Sequence, residues 1–227
     1  MNKIVIAIDG FSGCGKSTTA KAVSKALHYT YIDSGAMYRA MTLHMLNRFT
    51  NLTDPKEVEK SLATFKVEFH KNEDSGIQQT FLNGLNVEKE IRSMRVSENV
   101  SEVSKIKAVR RELVSQQKRL GKHKGVVMDG RDIGTVVFPD AELKFFMVAD
   151  LNIRAERRQR EILESGQLVS LEEVVNNLQE RDRLDTTRKE SPLVKAADAV
   201  EIDTSYMDFE EQVSLIVNMA KEKLRNK

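Results

Sequence analysis

Gly10-Phe11-Ser12-Gly13-Cys14-Gly15-Lys16-Ser17 decides how the rest of the chain is read. Its spacing is G-x-x-x-x-G-K-[ST]. Before it, Lys3 to Ile8 is an apolar run (Ile4, Val5, Ile6, Ile8), as a strand buried on both faces requires. After it, Lys16 to Leu27 carries helix formers with Ala20, Val23 and Leu27 on one stripe. A loop so placed turns successive backbone N–H groups into one concavity for phosphate oxygens, which Gly10, Gly13 and Gly15 permit. The helix start adds its positive dipole end. Lys16 reaches the β- and γ-phosphates, and Ser17 offers a hydroxyl to a magnesium ion. A structural glycine turn that binds nothing is the competing reading; the strand before and the helix after disfavour it. Residues Gly10, Phe11, Ser12, Gly13, Cys14, Gly15, Lys16, Ser17 and Thr18 thus read as contacts of a nucleotide phosphate chain.

The rest of the composition narrows the class. At 227 residues the chain can bury one sizeable core with room for a subdomain. A net charge of +2, despite 31% charged residues, gives no broad basic field for nucleic acid or a membrane surface. No apolar run reaches membrane-span length, and the N-terminal one is broken by Asp9 too soon for a signal peptide. The single cysteine, Cys14, excludes an intrachain disulfide and fits a reducing, cytoplasmic setting. Inside the loop it reads as a small filler, with redox sensitivity as the alternative. Metal-site spacing of Cys and His is absent. Nothing forces a dimer, so a monomer is expected.

Along the chain, Tyr29 to Ile32 predicts a second strand ending at Asp33-Ser34-Gly35, with Ser34 placed to cap a helix over 36–48. Asp54-Pro55-Lys56-Glu57 starts the next, with Asp as cap, Pro at the first position and Glu reaching back. Strand-forming stretches at 66–70, 78–82 and 85–88, the last two joined by Asn83-Gly84, predict a small antiparallel patch. Helices over 96–104 and 107–120 follow, the second stopped by Gly121. Strands at 125–129 and 143–148 resume the core. A basic helix over 153–164 comes next, broken by Gly166. Ser170-Leu171-Glu172-Glu173 caps a helix to about 184. Strand 200–203 and a helix opened by Asp208 and Glu211 close the chain. The pattern predicts an α/β fold: a five-stranded parallel sheet with helices on both faces, ligands lying at the carboxyl ends of the strands. Residues 1–34 and 121–227 form the core. Residues 35–120 form a large insertion with its own small antiparallel sheet.

Polar clusters gather where that rule puts ligands: the phosphate loop, Asp33-Ser34-Gly35, and Asp129-Gly130-Arg131-Asp132. Arginines adjoin them, at 39, 110, 131, 157, 158, 181 and 188. Phosphoryl transfer needs cations that neutralise charge on the transferring group and hold donor and acceptor in line. The arginine fork suits this, since it makes two hydrogen bonds to one phosphate and stays charged. For each arginine a solvated surface charge is the plainer alternative, and for Arg154 and Arg160 it is the expectation.

Three further stretches bear a resemblance: Asp33-Ser34-Gly35-Ala36-Met37-Tyr38-Arg39, Asp129-Gly130-Arg131-Asp132 on to Ala141, and Glu180-Arg181-Asp182 through Asp185 and Arg188 to Pro192-Leu193. In order and spacing the chain resembles the bacterial cytidylate kinases, which are similar in fold to adenylate kinase. The resemblance implies ATP as phosphoryl donor with Mg²⁺, and CMP or dCMP as acceptor. It implies that Ser34, Arg39 and Arg110 hold the acceptor monophosphate, and that Arg131 also faces the phosphates. Ser101 and Asp132 look like the cytosine readers. Arg181 and Asp185 look like the pair at the pentose hydroxyls, with Arg188 reaching the α-phosphate. The resemblance also implies that about 152–168 is a short helical lid, from which Arg157 and Arg158 would close over ATP. Lys16, Arg131, Arg157, Arg158 and Arg188 make up the catalytic set.

Cytosine presents an amino donor where uracil presents a carbonyl, so an ionised Asp132 accepts from one and repels the other. The alternatives are a carboxylate merely paired with Arg131, and for Ser101 a serine simply exposed on a helix. Two positions depart from the family pattern. Many members carry proline where Phe11 stands and glycine where Ser17 stands, so a metal role for Ser17 rests on the general phosphate-loop chemistry. Asp129 reads as an anchor behind the metal. Two rival functions remain: a related small kinase acting on UMP, AMP or an acceptor such as shikimate, and a nucleotide switch or RNA-associated protein that hydrolyses ATP slowly.

Overall fold

The computed structural model describes residues 3–71, 78–164 and 166–226. Residues 72–77 of the expected insertion and Ser165 of the expected lid lie outside the described residues. In chain order the elements are β1 (Val5–Gly10), α1 (Lys16–Leu27), β2 (Thr30–Asp33), α2 (Ser34–Asn47), α3 (Pro55–Ala63), β3 (Val67–Lys71), β4 (Gln78–Leu82) and β5 (Leu85–Asn86). Then come α4 (Met94–Lys105), α5 (Lys107–Leu120), β6 (Val126–Gly130), β7 (Leu143–Val148), α6 (Leu151–Glu164), α7 (Leu171–Thr187), β8 (Val200–Asp203) and α8 (Phe209–Arg225). They sort into two units, one of Met1–Asp33 with Lys118–Lys227 and one of Ser34–Gln117.

In the first unit five parallel strands run in the order β2-β6-β1-β7-β8. β1 is central and buried at every position, which explains its unbroken apolar character. Ile4, Ile6 and Ile8 are fully buried and pack with Ala20 and Val23 of α1 and Ile216 and Ala220 of α8. Each such side chain contributes about 1.5–3 kcal/mol by leaving water. β1 lies between β6 and β7, and the chain leaves it for the edge strand β2, so its carboxyl end is where the strand order reverses. α7 and α8 each open with a reciprocal capping box, Ser170 with Glu173 and Asp208 with Glu211, as the spacing requires.

The second unit has a separate core in which Met37, Met41 and Met45 of α2 pack with Val96, Val100 and Val103 of α4 and with Leu113 of α5. Its three-stranded antiparallel sheet runs β3-β4-β5. Asn83 and Gly84 both take positive φ, as a tight two-residue hairpin turn needs.

Local readings need correction in four places. Ser34 is the first residue of α2 rather than a cap before it, because the helix starts directly after β2. Glu57 reaches back to the amide of Asn51 (2.7 Å), while Asp54 caps α3 through Lys56 (2.8 Å). A turn of 3₁₀ helix at Glu90–Arg92 and a wide π-type turn at Ile133–Val137 were not foreseen. Arg154, expected at the surface, is buried.

Candidate active site

The phosphate loop begins where β1 ends. Gly10 sits at φ +146°, and a Cβ there would lie 2.0 Å from the Met147 carbonyl oxygen of the neighbouring strand, so no larger residue fits. Gly13 and Gly15 also take positive φ, and Gly15 leads into α1 without a side-chain cap. The first amides of α1 thus get no side-chain acceptor from Gly15, the arrangement an anion-binding helix start calls for. The loop is braced from outside. Thr204, just past β8, donates its hydroxyl to the Cys14 carbonyl (2.9 Å). Arg154 on α6 donates to the carbonyls of Ser12 (3.3 Å) and Ala149 (2.9 Å), pairs with Asp182 of α7 (2.7 Å) and stacks over the Phe11 ring.

Lys16 is buried at the head of α1 and donates its Nζ to the Phe11 carbonyl. Burial lowers its pKa to about 8, helped by the charge of Arg131 and opposed by Cys14, Asp129 and Asp9. Ser17 donates its hydroxyl to Asp129 at the end of β6 (2.8 Å), and Tyr31 of β2 donates to the other carboxylate oxygen (2.7 Å). Burial pushes the Asp129 carboxyl up, as does the nearby charge of Asp33, against the pull of Lys16 and the two hydroxyls. The Tyr31 hydroxyl is pushed well above its ordinary value by burial and by Asp129. This hydroxyl–carboxylate edge is a hard-oxygen donor set of the kind Mg²⁺ takes.

Around Asp185, on α7, the core unit gathers its arginines. Arg131 donates its Nε to Asp185 (2.9 Å), and Arg188 lies 3.6 Å from the other oxygen. Arg188 also lies 3.8 Å from Asp132. Asp132, Arg181, Asp185 and Arg188 are all buried. Burial alone would raise the Asp185 carboxyl, but the charges of Arg131, Arg181 and Arg188 hold it below the usual value. Three guanidiniums set against the two carboxylates Asp185 and Asp132 leave a net positive charge, suited to phosphate.

Within the insertion unit, Ser34 and Arg110 are buried and Arg39 is half-buried. The Arg110 guanidinium lies over the Tyr38 ring and donates to the Ser104 carbonyl (3.2 Å). Ser101 is buried on α4, not exposed as an isolated helical serine would be.

On α6, Arg157 gives its guanidinium to the Thr204 carbonyl (2.7 Å), and Arg158 pairs with Glu161 (3.0 Å). Beside the phosphate loop lies a half-open cleft of about 380 Å³, lined by Gly13, Gly15, Thr18, Arg157, Phe209 and Gln212 among others. Gln212 is held in it by the Thr19 hydroxyl (3.0 Å) and by its own donation to the Met207 carbonyl (2.9 Å).

Sequence reasoning missed three of these residues. Arg154 lies on the buried stripe of α6 with Ala155 and Ile162, which its charged composition does not announce. Tyr31 had no motif to mark it. Asp9, the last side chain of β1, shows in the sequence only as a break in an apolar run.

Residues 6–222 match the family model for cytidylate kinase. The chain belongs to the cytidylate kinase family. It is 54% identical to the cytidylate kinase of Cytophaga hutchinsonii over 99% of this chain and 96% of that one. Against the cytidylate kinase of Flavobacterium psychrophilum the identity is 52%, over 96% and 98% of the two chains. An uncharacterized protein from Eubacterium ventriosum, of known crystal structure, shares the fold with a TM-score of 0.51 at 12% identity, over 97% of this chain and 99% of that one. As a cytidylate kinase family member the chain is an ATP-dependent phosphotransferase, and no helix among its described residues is long and apolar enough to cross a membrane.

Proposed function

We propose that the protein transfers the γ-phosphoryl group of Mg²⁺-bound ATP to CMP or dCMP, giving ADP and CDP or dCDP. The observation that carries this is the collection of Arg131, Arg181 and Arg188 around Asp185 in the same unit as a phosphate loop bearing Lys16. A hydrolase has little use for several buried guanidiniums beyond the donor's phosphates; an enzyme whose acceptor is itself a phosphate needs them.

The roles follow from the chemistry. Amides of the phosphate loop, from Gly10 to Thr18, and Lys16 hold the donor's phosphates, and the cleft beside the loop takes its nucleoside. Arg157 and Arg158, on the helix proposed as the lid, cover the donor. Ser17 would hold Mg²⁺, with Asp129 fixing the hydroxyl; the ion supplies neutralisation of charge between the β- and γ-phosphates. In the core unit Arg131 and Arg188 face the transferring group, Arg181 and Asp185 the pentose, and Asp132 the cytosine amino group. In the insertion unit Ser34, Arg39 and Arg110 hold the acceptor phosphate, and Ser101 the base. No general base is required, because the attacking atom is already an anionic phosphate oxygen, so positioning and charge neutralisation do the catalysis. The enzyme is proposed to act as a cytoplasmic monomer.

A panel of acceptors tests this. With ADP release followed by a coupled assay, CMP and dCMP should turn over, with UMP, AMP and GMP lower by orders of magnitude, since polar readout of a base can reject an analogue by roughly 10⁴-fold. Equal rates across the panel, or ADP release needing no acceptor, would refute the reading.

A further inference from the structure

Asp132 opens the wide turn Ile133–Val137, yet its side chain caps none of the turn's amides and lies instead 3.8 Å from the Arg188 guanidinium. An aspartate at that position ordinarily folds back onto the first free N–H groups of its own turn. Here another carboxylate does so. Asp9, at the end of β1, accepts from the Ile133 amide with Oδ1 (2.8 Å) and from the Gly134 amide with Oδ2 (2.7 Å). Asp9 is buried, and its backbone is in register with Gly130 of β6. It directly precedes Gly10, where a side chain would meet the Met147 carbonyl of the neighbouring strand. Gly134 matters on the other side: a Cβ there would stand 3.3 Å from Asp9 Oδ2 and 3.2 Å from the Lys144 side chain.

We infer that Asp9 is a positioning residue for base selection: it caps the 133–137 turn in place of Asp132, and so directs the Asp132 carboxylate toward the acceptor's cytosine. This rests on the reading of Asp132 as a base contact. The device needs a carboxylate with two acceptor oxygens. An asparagine offers one acceptor oxygen and, at the other position, an N–H facing an N–H. With one of its two amides left uncapped, the turn recruits Asp132, and the base contact is lost.

The experiment compares kcat/KM for CMP and for UMP in the wild type, D9N, G134A, D132N and the D9N/D132N double variant. D132N should narrow the CMP-over-UMP ratio. D9N should narrow it as well, by roughly tenfold or more, a part of what polar readout supplies. In the D132N background, D9N should change the ratio no further, because residues acting through one another are not additive. G134A, which presses on Asp9 without removing it, should shift the ratio in the same direction and stands in if D9N does not fold. A merely structural role would lower CMP and UMP turnover alike, and an unchanged ratio in D9N and G134A overturns the inference. An unchanged ratio in D132N itself overturns the base-contact reading and the inference with it, so the two failures are told apart.

Discussion

Raising the pH should disarm the phosphate loop before it damages anything else, because Lys16 in the free protein gives up its proton near pH 8 rather than 10.5. The cause is burial at the head of α1, then the charge of Arg131; Cys14, Asp129 and Asp9 pull the other way. Deprotonation removes the charge proposed above to hold the β- and γ-phosphates. About nine-tenths of the lysine is charged at pH 7, half at pH 8 and about a tenth at pH 9. kcat/KM for ATP, which reports the free enzyme, should therefore fall about tenfold per pH unit above 8. kcat should stay nearly flat over the same range, since bound phosphates restore the charge on Lys16. Initial rates from pH 6.5 to 10 at saturating Mg²⁺ and CMP measure both. Two variants assign the limb. K16R cannot lose its charge, so its far lower activity should lack the limb. C14A, which removes the adjacent thiol, should keep it. A flat kcat/KM to pH 10, or the same limb in K16R, would refute the argument.

Other predictions follow from the contacts around the loop. R154M keeps the packing on Phe11 but strands the partly exposed Asp182; it should cost about 2–3 kcal/mol in urea unfolding and raise KM for ATP, and unchanged stability would contradict the bracing role. S17A removes the hydroxyl that Asp129 fixes and should shift the Mg²⁺ requirement up by about tenfold while KM for CMP stays put; an unmoved Mg²⁺ titration would count against Ser17. Burial raises the Asp9 carboxyl from 3.8 to about 6, so the folded state binds its proton more tightly than the unfolded chain between those values. Ionised Asp9 therefore costs stability, by about 3 kcal/mol, fully above about pH 7 and hardly at all below about pH 3. D9N should gain on the wild type by that amount as pH rises from about 3 to about 7, and a pH-independent difference between them would contradict the cause.

Much of the fold could be read from the chain because its signals are local. The apolar run at β7, the Asn83-Gly84 turn and the capping boxes of α7 and α8 each carry their own cause within a few residues. The phosphate loop was legible for the same reason. What escaped depends on contacts between distant segments. Arg154 has the composition of a surface residue; only packing against Phe11 and Asp182, 143 and 28 positions away, makes it internal. The wide turn after Asp132 has no residue pattern of its own, since its cap lies 124 residues earlier at Asp9. Ser101 was placed by family resemblance alone, and its burial on α4 comes from helix packing that a single serine does not announce.

The most direct measurement follows the phosphoryl group itself. In ³¹P NMR of the enzyme with equimolar ATP and CMP, the γ-phosphate signal should give way to the β-phosphate of CDP in step with ADP, with no growth of inorganic phosphate. Inorganic phosphate accumulating while CMP stays intact would contradict the account.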